Sequence, residues 1–328
     1  MSDSILIRRR QVLRSLLATA SVATCLRAPA APRPAARSAH PLPWVPGLQL
    51  YTLQLKRDDD LAAALRTVRA QGYRTVELPS NYGRTAAELR RLLGAANLTC
   101  PSVHVSPEPA RGGWSLQDDL AADMHLLGAR TVVMPIPLLP GRIQEALSHP
   151  PAGGHDPVAA SALFDSLSAD DWQRSADLLN RRAAALARSG LAVAYHNHGV
   201  DFTRLPDGRT GYDILLTQTD PDTVDFELDI GWAVSAGQDL SALFVRLGKR
   251  LKMLHLKDAR GVSGHSMSLI PADAGKGVVD WVRVAALVRA SAVQNMFVEQ
   301  EPPFDTTPFA AARADIDYLG KVFGLAHN

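Results

Sequence analysis

At 328 residues and 46% hydrophobic, the chain can bury a large core, as one α/β barrel or as two smaller domains. Its 35 basic and 33 acidic side chains leave a net charge of +2, which excludes the strong positive field of a general nucleic-acid binder. The two cysteines, Cys25 and Cys100, exclude a disulfide framework and a cysteine-rich zinc site, so a bound metal would have to be held by His, Asp and Glu.

The first elements in chain order do not belong to a fold. The stretch RRRQVLRSLLATASVATCL begins basic and continues into an apolar run, Ser15 to Leu26, too short to cross a bilayer as a helix. It resembles the twin-arginine signal of bacterial Tat substrates, and Ala28-Pro29-Ala30 offers a small-residue cleavage site. Residues 1–30 are therefore expected to direct export to the periplasm or beyond, a plain basic tail being the alternative. Val22-Ala23-Thr24-Cys25 is a poor lipoprotein box because Thr precedes the Cys. Residues 31–46, rich in Ala and Pro, read as an extended linker.

From Gly47 to the C-terminus, short apolar runs alternate with amphipathic helical stretches. The strand candidates are GLQLYTL, TVELPS, CPSVHVS, TVVMPIP, LAVAYHNH, VDFELDI, LKMLHLKD and NMFVEQE. Helical periods follow them over residues 61–71, 86–96, 116–128, 171–189, 212–219, 240–249, 279–291 and 308–322. Eight such units predict a (β/α)8 TIM barrel of parallel strands over 47–328. A doubly wound sheet is disfavoured because no Gly-rich dinucleotide loop follows the first strand. The connection 137–170 is long and contains HPPAGGHDP, which reads either as a lid over the catalytic mouth or as a tolerated insertion.

In such a barrel the chemistry sits at the C-terminal strand ends. Polar residues end the apolar runs at Glu77, His104, His196 and His198, Asp229, His255 with Lys257 and Asp258, and Glu299 with Glu301. One residue of this kind would ordinarily cap a strand. Recurrence on six strands around one mouth would be costly without a shared cation or polar ligand. One His of strand five, Asp229, His255 and one Glu of strand eight would give two imidazoles and two carboxylates. That mixed set suits one divalent ion, Mn, Fe, Co or Zn, better than calcium.

GLQLYTL, YHNH followed by TGYDILL, FELDIGW, LHLKD, GKGVVDW and VEQEPP occur in that order. Together they resemble the sugar phosphate isomerase/epimerase family of xylose isomerase-like TIM barrels, over essentially everything from Gly47 onward. The resemblance implies a divalent metal held by strands five to eight and proton abstraction next to a carbonyl. Carried onto this chain, the ligands are Asp229, His255 and Glu299. Where the family commonly has Glu-Asn-His, this chain has His196-Asn197-His198, so His196 takes the ligand position and the site has one negative charge fewer.

That departure bears on mechanism. Epimerases of the family exchange the substrate proton with two glutamates on opposite faces, and one of the pair is missing here. A substitute would come from His104, His198, Lys257 or Glu301. The YHNH subgroup also resembles enzymes acting on keto sugars and glycosides, where β-elimination needs one base and a Lewis acid.

Glu299, Glu301, His104 and Lys257 are the candidate catalytic residues. His198, Glu77, Trp232 and Asn197 are expected at the substrate. Lys257 has a plainer alternative as the salt-bridge partner of Asp258 or Glu227. His40, His125, His149, His155, His265 and His327 lack a comparable context and are expected at the surface.

The reading is an exported, metal-dependent sugar isomerase or epimerase with a small carbohydrate as partner, no nucleic acid and no membrane span in the mature chain. A homo-oligomer is allowed but not required. The alternatives are a lyase or hydrolase of 3-keto sugars or glycosides, and a sugar-binding barrel without turnover. Endonuclease IV, a zinc phosphodiesterase, is a weaker resemblance, since Met134-Pro135-Ile136-Pro137 supplies no His for a metal cluster.

Overall fold

The computed structural model describes residues 46–56, 59–109, 113–149 and 157–324. The signal-like segment 1–30 lies outside the described residues, as does the linker 31–46 apart from Pro46.

Eight parallel strands close into a barrel: β1 (Gly47–Gln49), β2 (Thr75–Leu78), β3 (Thr99–His104), β4 (Thr131–Met134), β5 (Ala192–His196), β6 (Val224–Asp229), β7 (Leu251–Leu256) and β8 (Asn295–Val298). Sequential strands are neighbours, and β8 closes on β1 through Gly47 opposite Phe297. All strands being parallel and covered by helices, most strand residues are buried on either face. This is the predicted (β/α)8 architecture.

Several helices begin where the sequence offers caps. Asp60 accepts from Ala63 N–H at the start of α1 (Leu61–Ala70), and Thr85 with Glu88 forms a capping box on α2 (Ala86–Ala95). After α3 (Ala121–Leu127) the β4–β5 connection carries α4 (Gly141–Ser148) and α5 (Pro157–Phe164) ahead of α6 (Ala169–Ala187). The long connection is therefore structured on both sides of residues 150–156, which are outside the described set. Arg142 of α4 reaches Asp171 of α6 at 3.0 Å and ties the insertion to the outer helix ring.

Three segments differ from the sequence reading. The predicted strand GLQLYTL ends at Gln49, whose side chain accepts from Tyr51 N–H and starts a 3-10 turn over Leu50–Leu53. The helix expected from Leu116 starts only at Ala121, because Ser115 and Leu116 are held by Asp118 and Ser106 instead. Past β6 lies a short helix that sequence periodicity does not announce, α8 (Ile230–Ser235), capped by the Asp229 carboxylate. The remaining helices are α7 (Gly211–Gln218), α9 (Leu240–Leu247), α10 (Trp281–Arg289) and α11 (Pro308–Phe323).

Inside the barrel, residues two apart on a strand stack in layers. Val133, Ala194, Met253 and Phe297 form one buried apolar layer. Gly47 leaves room for the Phe297 ring, since a Cβ there would lie 2.6 Å from it. Two residues further along β5, β7 and β8 come His196, His255 and Glu299, and two further again His198, Lys257 and Glu301. The fold thus places an apolar floor, a metal-ligand-type layer and a charged rim in register.

Candidate metal centre

Asp229 lies opposite His255 in the β6–β7 register, and His196 lies opposite Glu227 in the β5–β6 register. One ligand-type atom from each of His196, Asp229, His255 and Glu299 falls within 4.8 Å of the others, and all four residues are buried. His255 Nδ1 stands 2.7 Å from Glu299 Oε2 and 3.8 Å from Asp229 Oδ2. Asp229 divides its work: Oδ1 accepts from Trp232 N–H at 2.7 Å to cap α8, while the buried Oδ2 stands among the charged groups of the layer. A buried carboxylate needs positive charge beside it, and two imidazoles with two carboxylates in one layer are a donor set that suits a divalent ion.

Lys257, fully buried, projects its ammonium to within 3.0 Å of Asp229 Oδ2 and 2.9 Å of Glu299 Oε2, and it also pairs with Glu301. The salt bridges to Asp258 or Glu227 that the sequence allowed are replaced by these three. Gly231 makes the approach feasible, because a Cβ at that position would meet Lys257 Cγ at 2.8 Å. Three carboxylates stand against this ammonium and the His255 imidazole, which Glu227 and Glu299 raise well above its ordinary value against burial, and a divalent ion would offset the negative excess. The residues present therefore fit such an ion, with His196, Asp229, His255 and Glu299 as the set that could hold it.

Burial acts on every group here, and the local partners decide the outcome. It raises the Asp229 carboxyl to about 6 against the pull of Lys257. Glu299 is buried too, yet Lys257 and His255 hold it below the usual carboxylate range. Burial and the neighbouring His255 push His196 well down, and burial with the Lys257 charge brings His198 to about 3. Both strand-five imidazoles are thus neutral, the form that donates a lone pair.

A second network adjoins the first and shares His196 and His255 with it. His104, expected as a catalytic residue, puts Nε2 3.0 Å from Glu227 and 3.2 Å from Glu77, and these carboxylates outweigh burial and raise it to about 9. Glu77, expected at the substrate, is fully buried and takes hydrogen bonds from Gln49 at 2.9 Å and from Ser102, with His255 Nε2 at 2.7 Å. Glu77 thus braces the far nitrogen of a ligand-type imidazole. Asn197, also expected at the substrate, instead pairs with both backbone groups of Asp229, Oδ1 accepting its N–H at 3.0 Å. Strand alternation turns Asn197 away from the side to which His196 and His198 point.

Glu227 was not singled out as a site residue. It bonds His104 and, at 3.1 Å, His196 Nδ1, and with His104, His196 and His255 it makes a second metal-type grouping. Its signal was available: it stands two residues before Asp229 and shares its face of β6.

At the rim, His198 packs against Trp232 with ring centroids 5.3 Å apart, and its buried Nδ1 has no hydrogen-bond partner. Trp232 donates its indole N–H to Glu301 Oε1 at 3.0 Å, and Lys257 Nζ lies 5.7 Å from its ring centroid. Asp258, next to Lys257, serves the frame: it accepts from the N–H groups of Gly275, Gly277 and Val279 and from the Trp281 indole. That explains the GKGVVDW segment as an anchored loop. His125 and His149 lie outside the centre, bonded to the Ser189 and Glu145 carbonyls.

A closed parallel barrel with a His/carboxylate centre at the C-terminal ends of its strands is the architecture of TIM-barrel enzymes. Over residues 65–322 the sequence matches the xylose isomerase-like TIM barrel family, and the chain belongs to it. An inosose dehydratase of Lacticaseibacillus casei is 24% identical over 306 residues, covering 84% of this chain and 94% of that protein. A sugar phosphate isomerase/epimerase structure from Parabacteroides distasonis superimposes with a TM-score of 0.61 at 24% identity, covering 83% of this chain and 96% of that one. The IOLI protein, whose structure holds a zinc atom, gives a TM-score of 0.58 at 15% identity over 84% of this chain and 97% of that one. Among the described residues no helix is long and apolar enough to cross a membrane.

Proposed function

We propose that this chain is a divalent-metal-dependent carbon–oxygen lyase that eliminates a substituent β to the carbonyl of an oxidised sugar or cyclic polyol. The observation that carries this reading is the asymmetry of the rim. Strand five supplies neutral imidazoles where a two-base epimerase would need a second carboxylate. Glu301 is the carboxylate of the centre with appreciable exposure, 21%, and it is aligned by Lys257 and the Trp232 indole. The similarity to an inosose dehydratase, a name that denotes elimination of water, supports the same class.

An ion held by His196, Asp229, His255 and Glu299 would supply Lewis acidity at the substrate carbonyl. Glu301 takes the proton from the carbon next to that carbonyl. The electron pair forms the new carbon–carbon double bond as the β carbon–oxygen bond breaks, and the proton that Glu301 took passes to the departing oxygen, which restores the carboxylate. The Lys257 ammonium offsets charge developing on the carbonyl oxygen, and His198 with Trp232 orients the ring. No oxidant or reductant is consumed.

The test is to incubate metal-loaded protein with 3-keto glycosides and cyclic-polyol ketones and to follow products by NMR. Release of the substituent with an unsaturated ketone supports the lyase; an epimer without release contradicts it; binding without any product favours the sugar-binding barrel. Export is part of the proposal and rests on RRRQVLR near the N-terminus. Fractionation of expressing cells checks it.

A further inference from the structure

Tyr51 is a large aromatic side chain at the mouth of the barrel that has no part in the metal-ligand layer. β1 ends at Gln49, and Leu48 is registered with Val298 of β8, so the 3-10 turn Leu50–Leu53 begins level with Glu299 and beside the strand end that carries Glu301. Leu50, Thr52 and Leu53 are buried, whereas Tyr51 is 44% exposed. The turn therefore presents one aromatic side chain to whatever enters the mouth.

Hydrogen bonds hold this turn from both sides. Gln49 accepts the Tyr51 N–H at 3.1 Å and donates its own amide to Glu77 at 2.9 Å. Thr52 Oγ1 accepts the N–H of Gln300, the residue between Glu299 and Glu301, at 3.0 Å. Gln54, left-handed at φ 52°, donates its N–H and its side-chain amide to the Tyr51 carbonyl at 3.0 and 2.8 Å. Tyr51 and Glu301 thus share one frame.

The Tyr51 hydroxyl lies in the field of the centre. Partial burial first, then the Glu301 carboxylate, raises the phenol above its ordinary value; Glu299 acts in the same direction, and Lys257 opposes them. The phenol therefore keeps its proton at neutral pH. Other proton-bearing groups nearby are engaged: Lys257 is fully buried and spans Asp229, Glu299 and Glu301, and His104 lies between Glu77 and Glu227. Breaking a carbon–oxygen bond to an alkyl group expels a strong base, which a positioned acid protonates as it leaves.

We infer that Tyr51 is the acid that protonates the departing oxygen. The inference rests on the lyase reading and assigns the step that follows proton abstraction. As the carbon–oxygen bond breaks, its electron pair stays on the departing oxygen and takes the Tyr51 proton. The proton that Glu301 removed from carbon then returns to the phenolate. Carboxylate and phenol are both restored, the net transfer is from carbon to the departing oxygen, and no co-reactant is consumed.

The test uses metal-loaded full-length chain, wild type and Tyr51→Phe, with two 3-keto-β-glucosides whose departing groups are methanol and p-nitrophenol. Nitrophenolate leaves without a proton, and methoxide needs one. Phe keeps the ring and the backbone hydrogen bonds, so fold and metal content should be retained. Tyr51→Phe should lower kcat for the methyl glycoside by about 10²–10⁴-fold and for the nitrophenyl glycoside by less than about threefold. A role confined to packing or substrate binding would slow both alike. An equal loss with both, or no loss with the methyl glycoside, overturns the inference and leaves the lyase reading standing. A wild type that releases neither group overturns both.

Discussion

Glu301 and Glu299 stand two residues apart on the same strand end, yet the structure gives them different surroundings. Glu299 faces His255 and Lys257 in the buried ligand layer, whereas Glu301 reaches the rim and the Trp232 indole. Glu301→Gln should therefore lower kcat by about 10²–10⁴-fold while the protein keeps its metal and its fold. Steady-state kinetics with metal analysis of the same preparation checks this, and metal loss in that variant would contradict the division of roles. The sequence made this layer readable, because His196, Asp229, His255 and Glu299 each close an apolar run. It did not reveal that Glu77 bonds His255 and His104 bonds Glu227, since contacts between strand ends depend on the stagger between strands. Nor did it separate Asn197 from its histidine neighbours: only the pairing with Asp229 shows that its amide serves the backbone.

At the level of elements, strand and helix order were legible because the alternation of apolar runs and helical periods repeats eight times. The short α8 was not, since it is barely longer than a helical turn and depends on the Asp229 carboxylate as its cap. Tertiary contacts also fix the GKGVVDW loop on Asp258, and Gly277 lets it close: a Cβ would sit 2.1 Å from Asp258 Oδ1. Gly277→Ala should cost about 2–4 kcal/mol in denaturant unfolding, and an unchanged midpoint would show that the loop does not need this contact.

On α11, Asp315 accepts the Ala274 N–H at 2.7 Å, and burial first, then Asp273 and Asp258, raise it from 3.8 to about 7. The folded state therefore binds this proton more tightly than the unfolded chain, so the stability that Asp315 lends is greatest below its unfolded value and is lost as pH rises to about 7. Asp315→Asn should gain on the wild type by on the order of 1–3 kcal/mol between about pH 5 and pH 8. Unfolding curves at the two pH values test it, and a constant difference would contradict it.

For the whole molecule, the barrel brings charges from strands separated by most of the chain into one desolvated layer. A bound ion stabilises the native state by mass action, since the unfolded chain cannot assemble that layer. Chelation should lower Tm by on the order of 5 °C, and readdition of a divalent ion should restore it. The most direct measurement of the central claim is the metal content of purified protein after reconstitution with Mn, Zn, Co or Fe. The account predicts one divalent ion per chain in the wild type, retained in Glu301→Gln and lost when Asp229 and Glu299 are changed together to Asn and Gln. A wild-type chain that takes up no ion, or a double variant that still holds one, would contradict it.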